Sequence, residues 1–132
     1  MKIHTDALQT LIGVSPKSFV SIVPSNTPLP YVLIHPADGA DDTDRQGAPS
    51  LTQNPRFTLH SVGATYEQCA WAAEKVKAAL VVNGLGVVPT VTGERSGRVW
   101  YSVPQPIQQD TDASPTYLYH TAECGFSSTP TA

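Results

Sequence analysis

Any chemistry in these 132 residues has to come from four histidines, two cysteines and a run of carboxylates, and the spacing of each group limits it. His4, His35, His60 and His120 stand far apart in the chain, without the i, i+4 helical pairing or the cysteine partners that spell out a zinc site. A small metal-dependent or hydrolytic enzyme would need the fold to gather His35, His60 and His120 on one sheet. Cys69 falls on the apolar stripe of an expected helix, where a thiol has a raised pKa and poor access, so it reads as core. Gly84-Leu85-Gly86 follows a helix instead of opening one and no Gly-Lys-Ser/Thr comes after it, so it reads as a helix stop and not a phosphate cradle. The acidic stretch Asp42-Thr43-Asp44-Arg45-Gln46-Gly47 matches the first half of a calcium loop. The second half departs from it, with Gln53 where a bidentate Glu is needed and Pro49 intruding. The expectation is no catalytic set, no cofactor and no metal, with a solvated acidic loop or one ordered by a neighbouring subunit.

Aromatic residues suggest contacts more than chemistry. Trp71 is expected on the outward face of a helix, between Glu67, Glu74, Lys75 and Ala78, where a large ring is left wet unless a partner covers it. Tyr31, Trp100, Tyr101, Tyr117 and Tyr119 lie on expected strands and suit core or sheet-surface packing. With 8 Lys and Arg against 11 Asp and Glu, the formal charge of −3 lacks the basic footprint of a nucleic-acid binder. No apolar run approaches the roughly 18 residues of a membrane span, and the start MKIHTDALQTLIGVSPK has no signal-peptide core. Two cysteines are too few for a disulfide framework, so both are expected as free buried thiols.

The elements that must position these residues follow from periodicity and punctuation. Asp6 to Ile12 reads as a short helix, capped by Thr5 or Asp6 and stopped at Gly13. Phe19 to Val23 reads as a short strand. Tyr31 to His35 is a continuous apolar strand, expected to be buried on both faces or to share one with another subunit. Pro36 to Pro55 is a long loop rich in Gly, Pro, Asp and Asn. Arg56 to Val62 alternates, with Phe57 and Leu59 on one face and Thr58 and His60 on the other. The clearest signal is a helix over 65–82, opened by the capping box Thr65-Tyr66-Glu67-Gln68 and closed by Asn83-Gly84, with Cys69, Ala72, Ala73, Val76 and Leu80 facing a sheet. Strands at Arg98 to Val103 and Thr116 to Phe126 flank a second turn-rich loop. The fold class expected is α+β: one mixed or antiparallel sheet of four to five strands, packed by the long helix and the short N-terminal helix. One domain is expected over residues 1–127, with 128–132 as a disordered tail.

The order from Val23 to Leu80, VPSNTPLPYVLIHPADG, a polar loop, then NPRFTLHSVGATYEQCAWAAEKVKAAL, resembles the tail terminator family of long-tailed, siphovirus-like bacteriophages. The later VWYSVPQPIQQDTDASPTYLYHTAECGF is similar to that family's closing strand pair. The resemblance implies a non-enzymatic virion assembly protein that forms a hexameric ring, caps the tail tube at full length and offers a head–tail joining surface. It implies as partners further copies of the chain, the major tail tube protein and the head–tail connector. DNA would pass through the lumen without specific binding, as a weakly acidic wall permits, and no membrane is involved. Synthesis in the host bacterial cytoplasm and residence at the tail–neck junction of the virion would follow.

Head–tail stoppers of the same phage necks share the size and general appearance and form the nearest alternative. A monomeric module clasping a ligand with its long loop is another. The residues expected at subunit or partner contacts are Trp71 and Lys75 on the helix, Asp38, Asp41, Asp42, Asp44 and Arg45 in the acidic loop, and Arg95 and Arg98 as charge partners for acidic neighbours.

Overall fold

A computed structural model describes residues 2–37, 52–110 and 117–131. The fold is α+β. Helix α1 (Lys2–Ile12) leads into strands β1 (Lys17–Val20), β2 (Tyr31–Ala37) and β3 (Arg56–Gly63), then helix α2 (Tyr66–Leu80). Seven further strands follow: β4 (Val81–Val82), β5 (Leu85–Gly86), β6 (Glu94–Ser96), β7 (Trp100–Ser102), β8 (Gln108–Asp110), β9 (Tyr117–Gly125) and β10 (Ser128–Pro130). The main sheet is six-stranded in the order β1-β2-β3-β9-β7, with β8 also on β9. β1 runs parallel to β2 and the other pairings are antiparallel.

Both helices lie against one face of this sheet. Strand β3 alternates as expected, so Phe57 and Leu59 point into the core, where they meet Val32 and Ile34 of β2 and Ala122 and Cys124 of β9. The predicted stripe of α2 is the buried one: Cys69, Ala72, Ala73, Val76 and Leu80. From α1, Leu8 and Ile12 close the layer. Burying each large aliphatic or aromatic side chain here contributes about 1.5–3 kcal/mol, so this layer is the main source of stability.

The opening of α2 follows its sequence. Thr65 takes an extended conformation and its Oγ1 accepts from Gln68 N at 3.2 Å, while Gln68 Oε1 accepts from Ala64 N at 2.9 Å. Other boundaries differ from expectation. Helix α1 starts at Lys2, so Thr5 and Asp6 both lie inside it and neither stands at its N-cap. Strand β1 spans Lys17–Val20, earlier than the expected Phe19 to Val23. Strand β2 is not buried on both faces: Val32 and Ile34 are fully buried, while Tyr31, Leu33 and His35 are half-buried on the opposite face. Helix α2 ends at Leu80, because Val81–Val82 pairs with Leu85–Gly86. Asn83 (φ 54°) and Gly84 (φ 77°) are therefore the two left-handed residues of a tight hairpin, not a helix cap. The expected disordered tail from residue 128 is corrected as well. Ser128–Pro130 pairs antiparallel with Glu94–Ser96, and Ser128 is buried, because its hydroxyl satisfies a carboxylate that the core encloses.

Candidate functional site: the open face of the sheet

The face of the sheet opposite the helices is aromatic. Alternation along β3 puts Thr58, His60 and Val62 there, and the register sets His60 beside Leu33 of β2 and Thr121 of β9. Ring contacts knit this surface together: Phe19 to Tyr31 at 6.0 Å, His35 to His60 at 5.2 Å and His60 to Tyr119 at 5.5 Å, all edge to face. His60 Nδ1 lies 3.2 Å from Thr121 Oγ1, and the Tyr119 hydroxyl donates to Gln108 Oε1 at 2.9 Å. An open cavity of about 390 Å³ is lined by Tyr31, Leu33, His60, Val62, Tyr117 and Tyr119. At the far end Arg56 lies over the Trp100 ring at 5.7 Å, with the Glu123 carboxylate 3.9 Å from its guanidinium.

The electrostatics of this face favour neutral groups. Burial, and then the nearby His35, lower the pKa of His60. Burial, and then Tyr117, raise that of Tyr31. Neutral rings with hydroxyl edges make a surface for apolar and hydrogen-bonding contact. Among the described residues His60 meets a threonine hydroxyl and aromatic rings, with no orienting carboxylate beside it.

The three histidines of the enzymatic alternative are not gathered. His35 and His60 share the open face, but His120 pairs with Ser61 and so projects on the helix side. Among the described residues, no group of three or more His, Cys, Asp or Glu side chains could hold a metal ion. Cys69 and Cys124 are free and buried, as expected of core thiols. Cys69 Sγ donates to Ser61 O at 3.2 Å, and burial pushes the Cys124 thiol up to about 12.

Of the expected contact residues, Trp71 and Lys75 are brought together on the outer side of α2. Trp71 is 39% exposed, with Lys75 Nζ 6.0 Å from its ring centroid. Arg95, on β6, is exposed. Arg98 is exposed too, but its Nη1 donates to Gly86 O at 2.9 Å, so it braces the β4–β5 hairpin. Neither arginine forms an ion pair among the described residues. Asp38, Asp41, Asp42, Asp44 and Arg45, and with them the calcium-like stretch, lie outside the described residues.

Sequence reasoning missed a buried polar cluster. His4, whose side chain is 2% exposed, has Nε2 2.9 Å from Glu94 Oε1. The Ser128 hydroxyl donates to the same oxygen at 2.5 Å and lies 3.0 Å from Ser96 Oγ. The signal for His4 was present, since it falls one turn before Leu8 and two before Ile12 on the buried stripe of α1. Nothing in the sequence marked Glu94 or Ser128 as its partners. No protein-family model matches the chain, and no curated protein matches it. No helix among the described residues is long and apolar enough to cross a membrane.

Proposed function

We propose that the chain is a structural assembly protein, a tail terminator of a long-tailed bacteriophage that forms a ring at the end of the tail tube and offers a surface for head joining. The observation that carries this reading is the aromatic face of the main sheet. A one-sided antiparallel sheet normally turns polar residues to water. Here that position holds Phe19, Tyr31, Leu33, Tyr117 and Tyr119, with both helices on the other side. Aromatic rings of this kind are what protein interfaces use as anchors.

Trp71 with Lys75 on α2 supplies a second contact of the same type, and the exposed Arg95, without an ion pair among the described residues, a cation for an acidic neighbour. The aspartates Asp38, Asp41, Asp42 and Asp44, with the neighbouring Arg45, belong to the same proposal, facing either the lumen or the adjoining ring. The partners are further copies of the chain, the major tail tube protein and the head–tail connector. The net charge of −3 suits a lumen through which DNA slides without being held. The mature location is the tail–neck junction of the virion, after synthesis in the host cytoplasm. No catalytic step or cofactor is required.

Light scattering and negative-stain imaging of the purified protein, alone and with purified tail tubes, test the reading. Rings that cap the tubes are expected. A strictly monomeric protein that also fails to bind tubes would overturn it. A ring that binds the connector and ignores the tubes would point to a head–tail stopper instead.

A further inference from the structure

His35 and His60 are two metal-ligating side chains that the fold brings together. In the register of β2 with β3, His35 pairs with Thr58 and Leu33 with His60, so the two histidines stand on adjacent strands as diagonal neighbours of the open face. Such positions are about 7–8 Å apart, a span that long side chains close. Their ring centroids lie 5.2 Å apart, with the planes inclined at 75°. An ion of the zinc type binds imidazole nitrogen at about 2.0–2.1 Å, and the ring centre lies about 1.1 Å further back, so two imidazoles at a tetrahedral angle hold their centroids about 5.2 Å apart. At the right angle of a square-planar or octahedral ion, the same bond lengths give about 4.5 Å. The observed spacing matches the tetrahedral value.

The surroundings suit a ligand pair as well. His60 Nδ1 faces Thr121 Oγ1 at 3.2 Å. With Nδ1–H donating to that oxygen, Nε2 keeps its lone pair for an ion, and a group that holds the second nitrogen is what orients a metal-bound histidine. Tyr119, edge to face with the same ring at 5.5 Å, braces it from the side. No hydrogen bond engages the His35 ring among the described residues, so nothing described there competes with a metal. Glu123 lies in the same row as His35, but Thr58 stands between them and Arg56 lies 3.9 Å from its carboxylate. The described chain therefore supplies two ligands and water the others, fewer than the three or more side chains of an enclosed site.

We propose that His35 and His60 bind one divalent ion of the zinc type on the open face of the sheet, with Thr121 as the positioning residue. With half the protein ligands of a structural zinc site, the dissociation constant falls in the range of about 1–100 µM. The inference does not rest on the assembly reading, because both ligands come from one copy of the chain.

Calorimetric titration of the chelator-treated protein with zinc sulfate tests it, together with NMR of the imidazole signals. One ion per chain is expected, with the His35 and His60 signals shifting and those of His4 and His120 unmoved. His35→Ala and His60→Ala are each expected to weaken binding about tenfold or more. Thr121→Val keeps both ligands and is expected to weaken binding about tenfold with the stoichiometry unchanged, and an unchanged affinity overturns its positioning role. Wild-type binding weaker than about 1 mM, or wild-type affinity in both alanine variants, overturns the site. Half an ion per chain, which needs a second copy, overturns it as well. The wild-type NMR readout decides even where a variant fails to fold. A monomeric protein that binds zinc in this way leaves the site standing and counts only against the assembly reading.

Discussion

The polar residues that matter most for stability are not on the surface. His4, Glu94 and Ser128 come from α1, β6 and β10, and they share one enclosed carboxylate. The hydrogen bond from Ser128, and then the one from His4, hold the Glu94 carboxyl below its ordinary pKa, although its partial burial pushes the other way. The lowered pKa means that folding favours the ionised form. The stabilisation is therefore complete above the ordinary Glu value of about 4.3 and is lost as pH falls through the folded-state value. Glu94→Gln is expected to cost about 2 kcal/mol at neutral pH and to flatten the fall in stability on the acid side, as read by urea unfolding at pH 7 and pH 4. Histidine acts with the same sign in a higher range. Burial lowers the pKa of both His60 and His120, with His35 adding to the effect at His60. The folded state disfavours the protonated form of both, so the stabilisation is complete above the ordinary histidine value of about 6.5 and is lost as pH falls through the lower folded-state values. An NMR titration is expected to place the His60 midpoint below the ordinary histidine value, and a midpoint at or above that value would contradict the account.

Among the elements, the β4–β5 hairpin depends most on one residue. A Cβ on Gly86 would run into the carbonyl of Val99, so the backbones of β5 and of the segment leading into β7 approach as closely as they do only because that side chain is absent. Gly86→Ala is expected to destabilise the protein by about 2 kcal/mol in thermal or urea unfolding, through the shift that overpacking forces. The adjoining turn at Asn83 and Gly84 is open, with nothing within 4 Å of a Cβ on Gly84, so Gly84 is held there by its φ of 77° alone.

At the scale of the whole molecule, the sheet has one face packed by helices and one face left aromatic. Under the proposed assembly role, stability and contacts would then draw on different surfaces. On the proposed assembly reading Trp71 falls on the contact side of this division, since it is partly exposed on α2 while Ala72 and Ala73 beside it are buried. Trp71→Ala is therefore expected to change the unfolding free energy by less than about 0.5 kcal/mol. It is also expected to weaken association, which sedimentation at matched concentrations would detect. A large loss of stability with assembly unchanged would place the ring in the core instead.

Local order was legible in the sequence. The capping box at Thr65 to Gln68, the stripe from Cys69 to Leu80 and the alternation of β3 all state a period or a turn within a few residues, and each is formed as read. The α+β class followed from the order of those elements. What the tertiary structure decided depends on residues far apart in the chain. Asn83-Gly84 suits a helix stop and a hairpin turn equally, and only the pairing of Val81 and Val82 with Gly86 and Leu85 selects the hairpin. The final residues look like a polar tail until Ser128 finds Glu94, 34 positions away. The histidines could be sorted only by register, which sends His60 to one face and His120 to the other while they sit one pairing apart. Strand pairing over such separations is set by which faces bury together, and no single segment carries that information.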